Sequence, residues 1–156
     1  MKKKIKKFHI AVDGISASGK TTASKIISKK FKLKLLSSGK LYRYIAYKII
    51  KNNNSFDKSF VRKISRSISE KDLNSKKLYS QNITNLSSII AKKKYIRNYL
   101  KKYQMDFIKK NKFVIIEGRD IASKILPNAD LKLFFKCSIQ KKALRRFKEF
   151  KKNNST

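Results

Sequence analysis

Short apolar runs that stop at small or acidic residues alternate along this chain with longer stretches in which apolar side chains return every three or four positions. Phe8 to Val12, interrupted only by His9, ends at Asp13-Gly14 and reads as a buried strand entering a turn. Lys20 to Lys32 has helical spacing, with Ala23, Ile26, Ile27 and Phe31 expected on one packing face. A second short strand is predicted at Leu33 to Leu36, closed by Ser37-Ser38-Gly39, and a helix follows over Leu41 to Lys51. Asn52 to Gln81 is polar and weakly periodic, the pattern of short helices joined by loops. Asn82 to Ala91 and Tyr95 to Lys109 predict two further helices, the second with Ile96, Leu100, Tyr103 and Phe107 at steps of four, three and four. Phe113 to Ile116 and Leu131 to Phe135 predict two more strands, and Gln140 to Phe150 a last helix packing through Ala143, Leu144 and Phe147.

Strands alternating with helices predict an α/β fold whose parallel sheet is covered on both faces. Ligands on such sheets bind beyond the carboxyl ends of the strands. Asp13-Gly14, Ser37-Gly39 and the stretch from Glu117 to Asp120 all follow predicted strands.

Gly14-Ile15-Ser16-Ala17-Ser18-Gly19-Lys20-Thr21 satisfies the pattern G-x-x-x-x-G-K-[ST] between a predicted strand and a predicted helix. Glycines let such a loop wrap until successive amide N–H groups face inward, and the helix N-terminus adds partial positive charge. Lys20 is expected to reach the β- and γ-phosphates of ATP, Thr21 to ligate Mg²⁺ and Thr22 to bond the α-phosphate. The expected architecture is therefore a three-layer α/β/α P-loop domain.

Composition sharpens this reading. The 156 residues carry a formal net charge of +33. Such a charge attracts polyanions whatever the fold, but the lysines are scattered over every segment, and the chain avoids Gly, Pro and Ala. This is the skew of an AT-rich coding sequence rather than a nucleic-acid face. Only four glycines occur, Gly14, Gly19, Gly39 and Gly118, all within the motifs described here. Arginine is retained at Arg43, Arg97 and Arg119, where a planar fork matters. The single Cys137 permits no internal disulfide and fits a reducing compartment. The basic run Met1 to Lys7 precedes an apolar stretch too short for a signal or a membrane span. A cytoplasmic monomer with no membrane and no specific nucleic-acid partner is expected.

Three further segments narrow the class: Ser38-Gly39-Lys40-Leu41-Tyr42-Arg43, the pair Ser88 and Arg97 ahead of Gln104, and Glu117-Gly118-Arg119-Asp120. With the phosphate loop, these resemble the bacterial cytidylate kinases over about Phe8 to Phe150. The resemblance implies transfer of the γ-phosphate of ATP to CMP or dCMP, with Mg²⁺. It implies that Arg43 and Arg119 clamp the acceptor phosphate, beside Ser38 and Tyr42, and that both arginines act with Lys20 in catalysis. It makes Ser88, Arg97 and Asp120 the readers of cytosine. A carboxylate such as Asp120 accepts from the exocyclic amino group of cytosine and repels the carbonyl of uracil. Glu117 stands where the family has Asp and is expected to hold Mg²⁺ through water.

The resemblance predicts one P-loop kinase domain, with its core over 8–51 and 111–150 and an acceptor-binding region over about 52–110. Departures accompany it: Ser37 replaces an Asp, Ile15 a Pro, Ala122 a Gly and Met105 an Arg, and Asn52 to Gln81 is short for the family. The family continues past the helix carrying Arg145 and Arg146 into an arginine-rich lid and a fifth core strand. A C-terminally truncated chain of low activity is therefore expected, with an unpaired edge beside Leu131 to Phe135. Two alternatives share the phosphate loop: another small-substrate P-loop kinase, and a basic nucleic-acid-binding protein with a vestigial loop.

Overall fold

The computed structural model describes residues 6–53 and 56–154. Met1 to Ile5 of the basic N-terminal run, residues 54 and 55 of the polar segment and the final two residues lie outside the described part. The chain divides into two compact units, one formed by 1–36 with 112–156 and the other by 37–111.

The first unit is built on a four-stranded sheet in the order β2-β3-β1-β4, with β1 at Phe8–Gly14, β2 at Lys34–Ser37, β3 at Phe113–Gly118 and β4 at Leu131–Phe135. β1 runs parallel to β3 and to β4. It aligns Asp13 with Gly118 on one side and Gly14 with Phe135 on the other. These registers gather the strand ends that carry the motifs.

The apolar runs become interior strands because parallel strands bury both of their faces. Ile10, Val12, Leu33 and Ile115 form the buried nucleus, with Phe8, Ile27, Leu35, Leu133 and Phe135 against it. Each fully buried aliphatic side chain contributes about 1.5–3 kcal/mol relative to exposure. β4 is a sheet edge among the described residues, and its Phe134 is 64% exposed.

α1 (Lys20–Lys30) follows the phosphate loop, and α7 (Ile139–Asn154) follows β4. Both helices form where the spacing predicts them, but their packing faces differ from expectation. On α1, Ala23 and Ile27 turn inward, Ser24 is fully buried, and Ile26 and Phe31 are exposed. The rotation of α1 is set at its start, where Thr21 must meet Glu117, and this leaves Ile26 on the outer side. On α7, Ala143, Leu144 and Phe147 are exposed. Arg145, one position and about a quarter turn from Leu144, reaches from that helix to the Ala17 carbonyl.

The second unit is helical: α2 (Ser38–Lys51), α3 (Lys58–Arg66), α4 (Glu70–Leu73), a 3₁₀ turn (Lys76–Tyr79), α5 (Gln81–Ile90) and α6 (Lys94–Lys110). α2 buries Leu41, Tyr44, Ile45 and Ile49, the three-and-four spacing that drives its packing. The polar segment breaks into short helices because it supplies a capping side chain wherever one must start. Asp57 accepts from the Phe60 amide, and Ser80 accepts from that of Ile83. Ser69 and Asp72 cap reciprocally.

Candidate active site

The turn from β1 into α1 forms a loop around inward-facing groups. Gly14 is obligatory there: a Cβ would stand 2.7 Å from the Phe135 carbonyl oxygen and 2.9 Å from Ser18 Oγ. Gly19 takes φ +93°, the left-handed region that glycine enters without strain, and begins α1. Ala17 also has a positive φ, +62°, without that freedom. Its carbonyl is held by Arg145 Nη1 at 3.0 Å, with Cys137 Sγ at 3.8 Å. Beside the loop, Gly14, Ile15, Ser16, Arg119, Phe134 and Lys142 line a cleft of about 300 Å³.

Lys20 Nζ turns into the loop and donates to the Ile15 carbonyl at 3.3 Å. Burial lowers its pKa from the ordinary lysine value. The Glu117 carboxylate opposes this shift, the Arg119 cation adds to it, and Asp13 opposes it. A partly desolvated ammonium of this kind gains strongly when a polyanion enters.

Thr21 Oγ1 lies 2.9 and 2.8 Å from the two carboxylate oxygens of Glu117, itself only 2% exposed at the end of β3. Ser18 Oγ is buried in the loop without a hydrogen-bond partner, an unsatisfied group that a phosphate oxygen would satisfy. A hydroxyl beside a carboxylate is a hard-oxygen set suited to Mg²⁺. That ion takes one or two protein oxygens and completes its shell with phosphates and water. Among the described residues no cluster of three or more His, Cys, Asp or Glu side chains makes a metal cage. The Thr21–Glu117 pair fits a magnesium ion carried by a nucleotide. Thr22 is exposed on the first turn of α1.

After β3, Arg119 is exposed at the mouth of the cleft. Asp120 precedes a π-helical turn, Ile121–Ile125, and makes no side-chain capping bond to it. The turn is held instead by Asp13, whose two carboxylate oxygens accept from the Ile121 and Ala122 amides at 2.7 and 2.8 Å. Ala122 keeps a negative φ, so no glycine is required at that departure from the family pattern.

In the helical unit, Arg43 Nη1 donates to the Leu78 carbonyl at 3.0 Å and to Thr84 Oγ1 at 2.8 Å, with its guanidinium 5.1 Å from the centre of the Tyr79 ring. Ser88 Oγ, exposed, bonds the Thr84 carbonyl at 3.2 Å. Arg97 Nη1 donates to the Ala91 carbonyl at 3.3 Å. Ser38 is buried, its hydroxyl accepting from Gln104 Nε2. Tyr42 is half-buried on α2 beside Arg43. Thr84 thus serves both Arg43 and Ser88. A larger concavity, about 520 Å³, lies along α3 between Ser59, Arg62, Lys63, Arg66 and Ser67 and contains none of the motif residues.

Asp13, Tyr79, Thr84, Cys137 and Arg145 contribute side chains to these contacts from outside the motifs. The available signal was an acid placed directly before Gly14 in a chain with only nine acidic residues. For Thr84 the sequence offers none, and Arg145 stands out only with Arg146 on the helix that leads toward the family's lid.

The family model for cytidylate kinase matches residues 10–156. The chain belongs to the cytidylate kinase family. It is 38% identical to the cytidylate kinase of Rickettsia rickettsii (strain Sheila Smith), over 96% of this chain and 68% of that protein. It is 33% identical to the cytidylate kinase of Phytoplasma mali, over 97% and 72%, and 33% identical to that of Pediococcus pentosaceus, over 92% and 70%. These kinases share with it the stretch that contains the phosphate loop, the helical unit and the Glu117–Asp120 turn. Membership in the family of phosphotransferases makes the chain a kinase by descent and favours neither alternative.

Proposed function

We propose that the protein transfers the γ-phosphoryl group of ATP to CMP or dCMP, giving ADP and CDP or dCDP. The observation that carries this reading is the meeting of Thr21 with buried Glu117 beside Lys20, in a chain of the cytidylate kinase family. An oxygen of the acceptor phosphate forms the new bond to the γ-phosphorus as the bridge between the β- and γ-phosphates breaks and its electrons leave with ADP. Catalysis of such a transfer rests on positioning and on neutralising charge.

The amides from Gly14 to Thr22 cradle the donor phosphates, Ser18 Oγ gains a partner there, and Lys20 leaves the Ile15 carbonyl for the β- and γ-oxygens. Thr21, and Glu117 through water, would hold a Mg²⁺ ion, which would supply charge neutralisation at the donor phosphates. Arg43 and Arg119 orient the acceptor phosphate, with Ser38 and Tyr42 beside Arg43 on α2. Asp120, Arg97 and Ser88 distinguish cytosine from uracil. The substrates are small nucleotides and the acting species is a monomer in the cytoplasm. Among the described residues no helix is long and apolar enough to cross a membrane.

The test incubates the protein with γ-labelled ATP and CMP or dCMP, with and without a magnesium chelator. Label in CDP or dCDP that disappears with chelation is the expected result. Label that never reaches either product overturns the reading.

A further inference from the structure

α7 inverts the usual amphipathic arrangement. Its apolar Ile139 and Leu144 are exposed, while among the described side chains of the helix Lys142 alone is half-buried. Residues three apart share a helix face, so the side of α7 that carries Arg145 to the Ala17 carbonyl also carries Lys142. Lys142 lines the cleft of about 300 Å³ whose other walls include the opening residues of the phosphate loop, Gly14, Ile15 and Ser16, and Arg119. Among the described residues no carboxylate lines this cleft. Two cations facing one small space disfavour each other, and an anion that enters between them offsets that cost. On the functional reading above, the loop holds the donor phosphates and Arg119 the acceptor phosphate. The anion between them is then the phosphoryl group in transit.

We infer that Lys142 is a further catalytic residue, a cation that neutralises the oxygens of the transferring phosphoryl group. This rests on the functional reading and adds a group from outside its motifs. As the γ-phosphorus leaves the bridging oxygen of ADP for an oxygen of the acceptor phosphate, the ammonium neither gives nor takes a proton. It supplies positive charge where the transition state spreads negative charge over the phosphoryl oxygens. A group that acts mainly there raises kcat and contributes little to the binding of either substrate by itself.

The experiment compares the full chain with Lys142→Met, Lys142→Arg and Lys141→Met, the last removing the exposed cation next to Lys142 on α7. For each, kcat for ADP formation is measured with ATP, magnesium and CMP, and dissociation constants for ATP and for CMP by calorimetry. A further titration uses ADP, magnesium and aluminium fluoride with CMP, which together mimic the phosphoryl group in transit. Lys142→Met should lower kcat on the order of 10²-fold and weaken binding of the mimic by a comparable factor. Affinities for ATP and CMP alone should stay within about threefold. Lys142→Arg keeps the charge and should recover part of kcat, and Lys141→Met should leave kcat unchanged. Parental kcat in Lys142→Met, equal falls in Lys142→Met and Lys141→Met, a loss confined to ATP or CMP affinity, or loss of the unfolding transition in both Lys142 variants would each overturn the role of Lys142. A parent chain that forms no ADP with CMP would overturn the functional reading beneath it, and this role with it, a result visible before any variant is made.

Discussion

The phosphate-loop unit and the helical unit carry site residues of different character. In the first, two buried carboxylates anchor the contacts, Glu117 taking the Thr21 hydroxyl and Asp13 the turn that follows Asp120, while exposed Arg145 holds the Ala17 carbonyl. In the second, Arg43, Ser88 and Arg97 bond carbonyls and a hydroxyl within the helical unit, Arg43 reaching from α2 to the 3₁₀ turn and α5. The loop from Gly14 to Thr21, proposed to take the triphosphate end of a nucleotide, is preorganised by backbone and register. On the proposed reading, Arg43 and Arg97 exchange these internal partners for the acceptor, and such exchange costs part of the binding energy. On the proposed reading, substitutions in the loop from Gly14 to Thr22 should therefore be felt most at the donor, and those of Arg43, Ser88 and Arg97 in the helical unit at the acceptor.

The largest expected effect is that of Lys20→Ala, which removes the one ammonium inside the loop. Turnover per substrate should fall on the order of 10²–10³-fold, the usual cost of deleting a preorganised group that stabilises developing charge. CMP affinity should change little, and comparing kcat/KM with CMP binding checks both. An equal loss of CMP binding would erase the division between the units.

A pH titration sharpens the same point. Burial holds the Lys20 pKa below the ordinary lysine value of 10.5, and bound ATP, an anion, raises it. The bound form therefore keeps the proton to higher pH than the unbound form. ATP affinity should be full below the lower of these two values and fall as pH rises between them, starting below 10.5. Lys20→Arg, which stays protonated throughout, should abolish this dependence.

Arg43→Lys is the corresponding probe of the helical unit. A lysine replaces the fork that now reaches Leu78 and Thr84 with a point charge. CMP binding should weaken by about tenfold while ATP affinity holds, because bidentate capture of the phosphate is lost. Calorimetric titration with each nucleotide checks this. The smallest effect concerns stability alone: Ser69→Ala removes the reciprocal cap of α4 and should cost about 0.5–2 kcal/mol, read by denaturant unfolding, with nucleotide affinities unchanged.

Much of this division is legible in the sequence, for identifiable reasons. The interior strands announce themselves because parallel strands bury both faces, so that Phe113 to Ile116 is an unbroken apolar run. The phosphate loop announces itself because glycine is scarce in this chain and two of its four glycines fall at the required spacing. The polar segment yields short helices because Asp57, Ser69 and Ser80 stand where caps are needed.

Periodicity fails where a long-range polar contact fixes helix rotation. Thr21 meets Glu117 across 96 positions and turns Ile26 outward, and Arg145 meets Ala17 across 128 and leaves Leu144 exposed. Asp13 looks in sequence like the acidic end of a strand. Its capping of the turn depends on the pairing of β1 with β3, which no local pattern encodes.

The most direct test of the account is the rate of ADP formation by the full chain with ATP and magnesium, measured with CMP and again with UMP as acceptor. The account predicts ADP formation that depends on CMP and is at least about tenfold slower with UMP at equal subsaturating concentration, the low end of what one mismatched hydrogen-bonding group costs in discrimination. Equal rates with the two acceptors, or ADP formation indifferent to either, would contradict it.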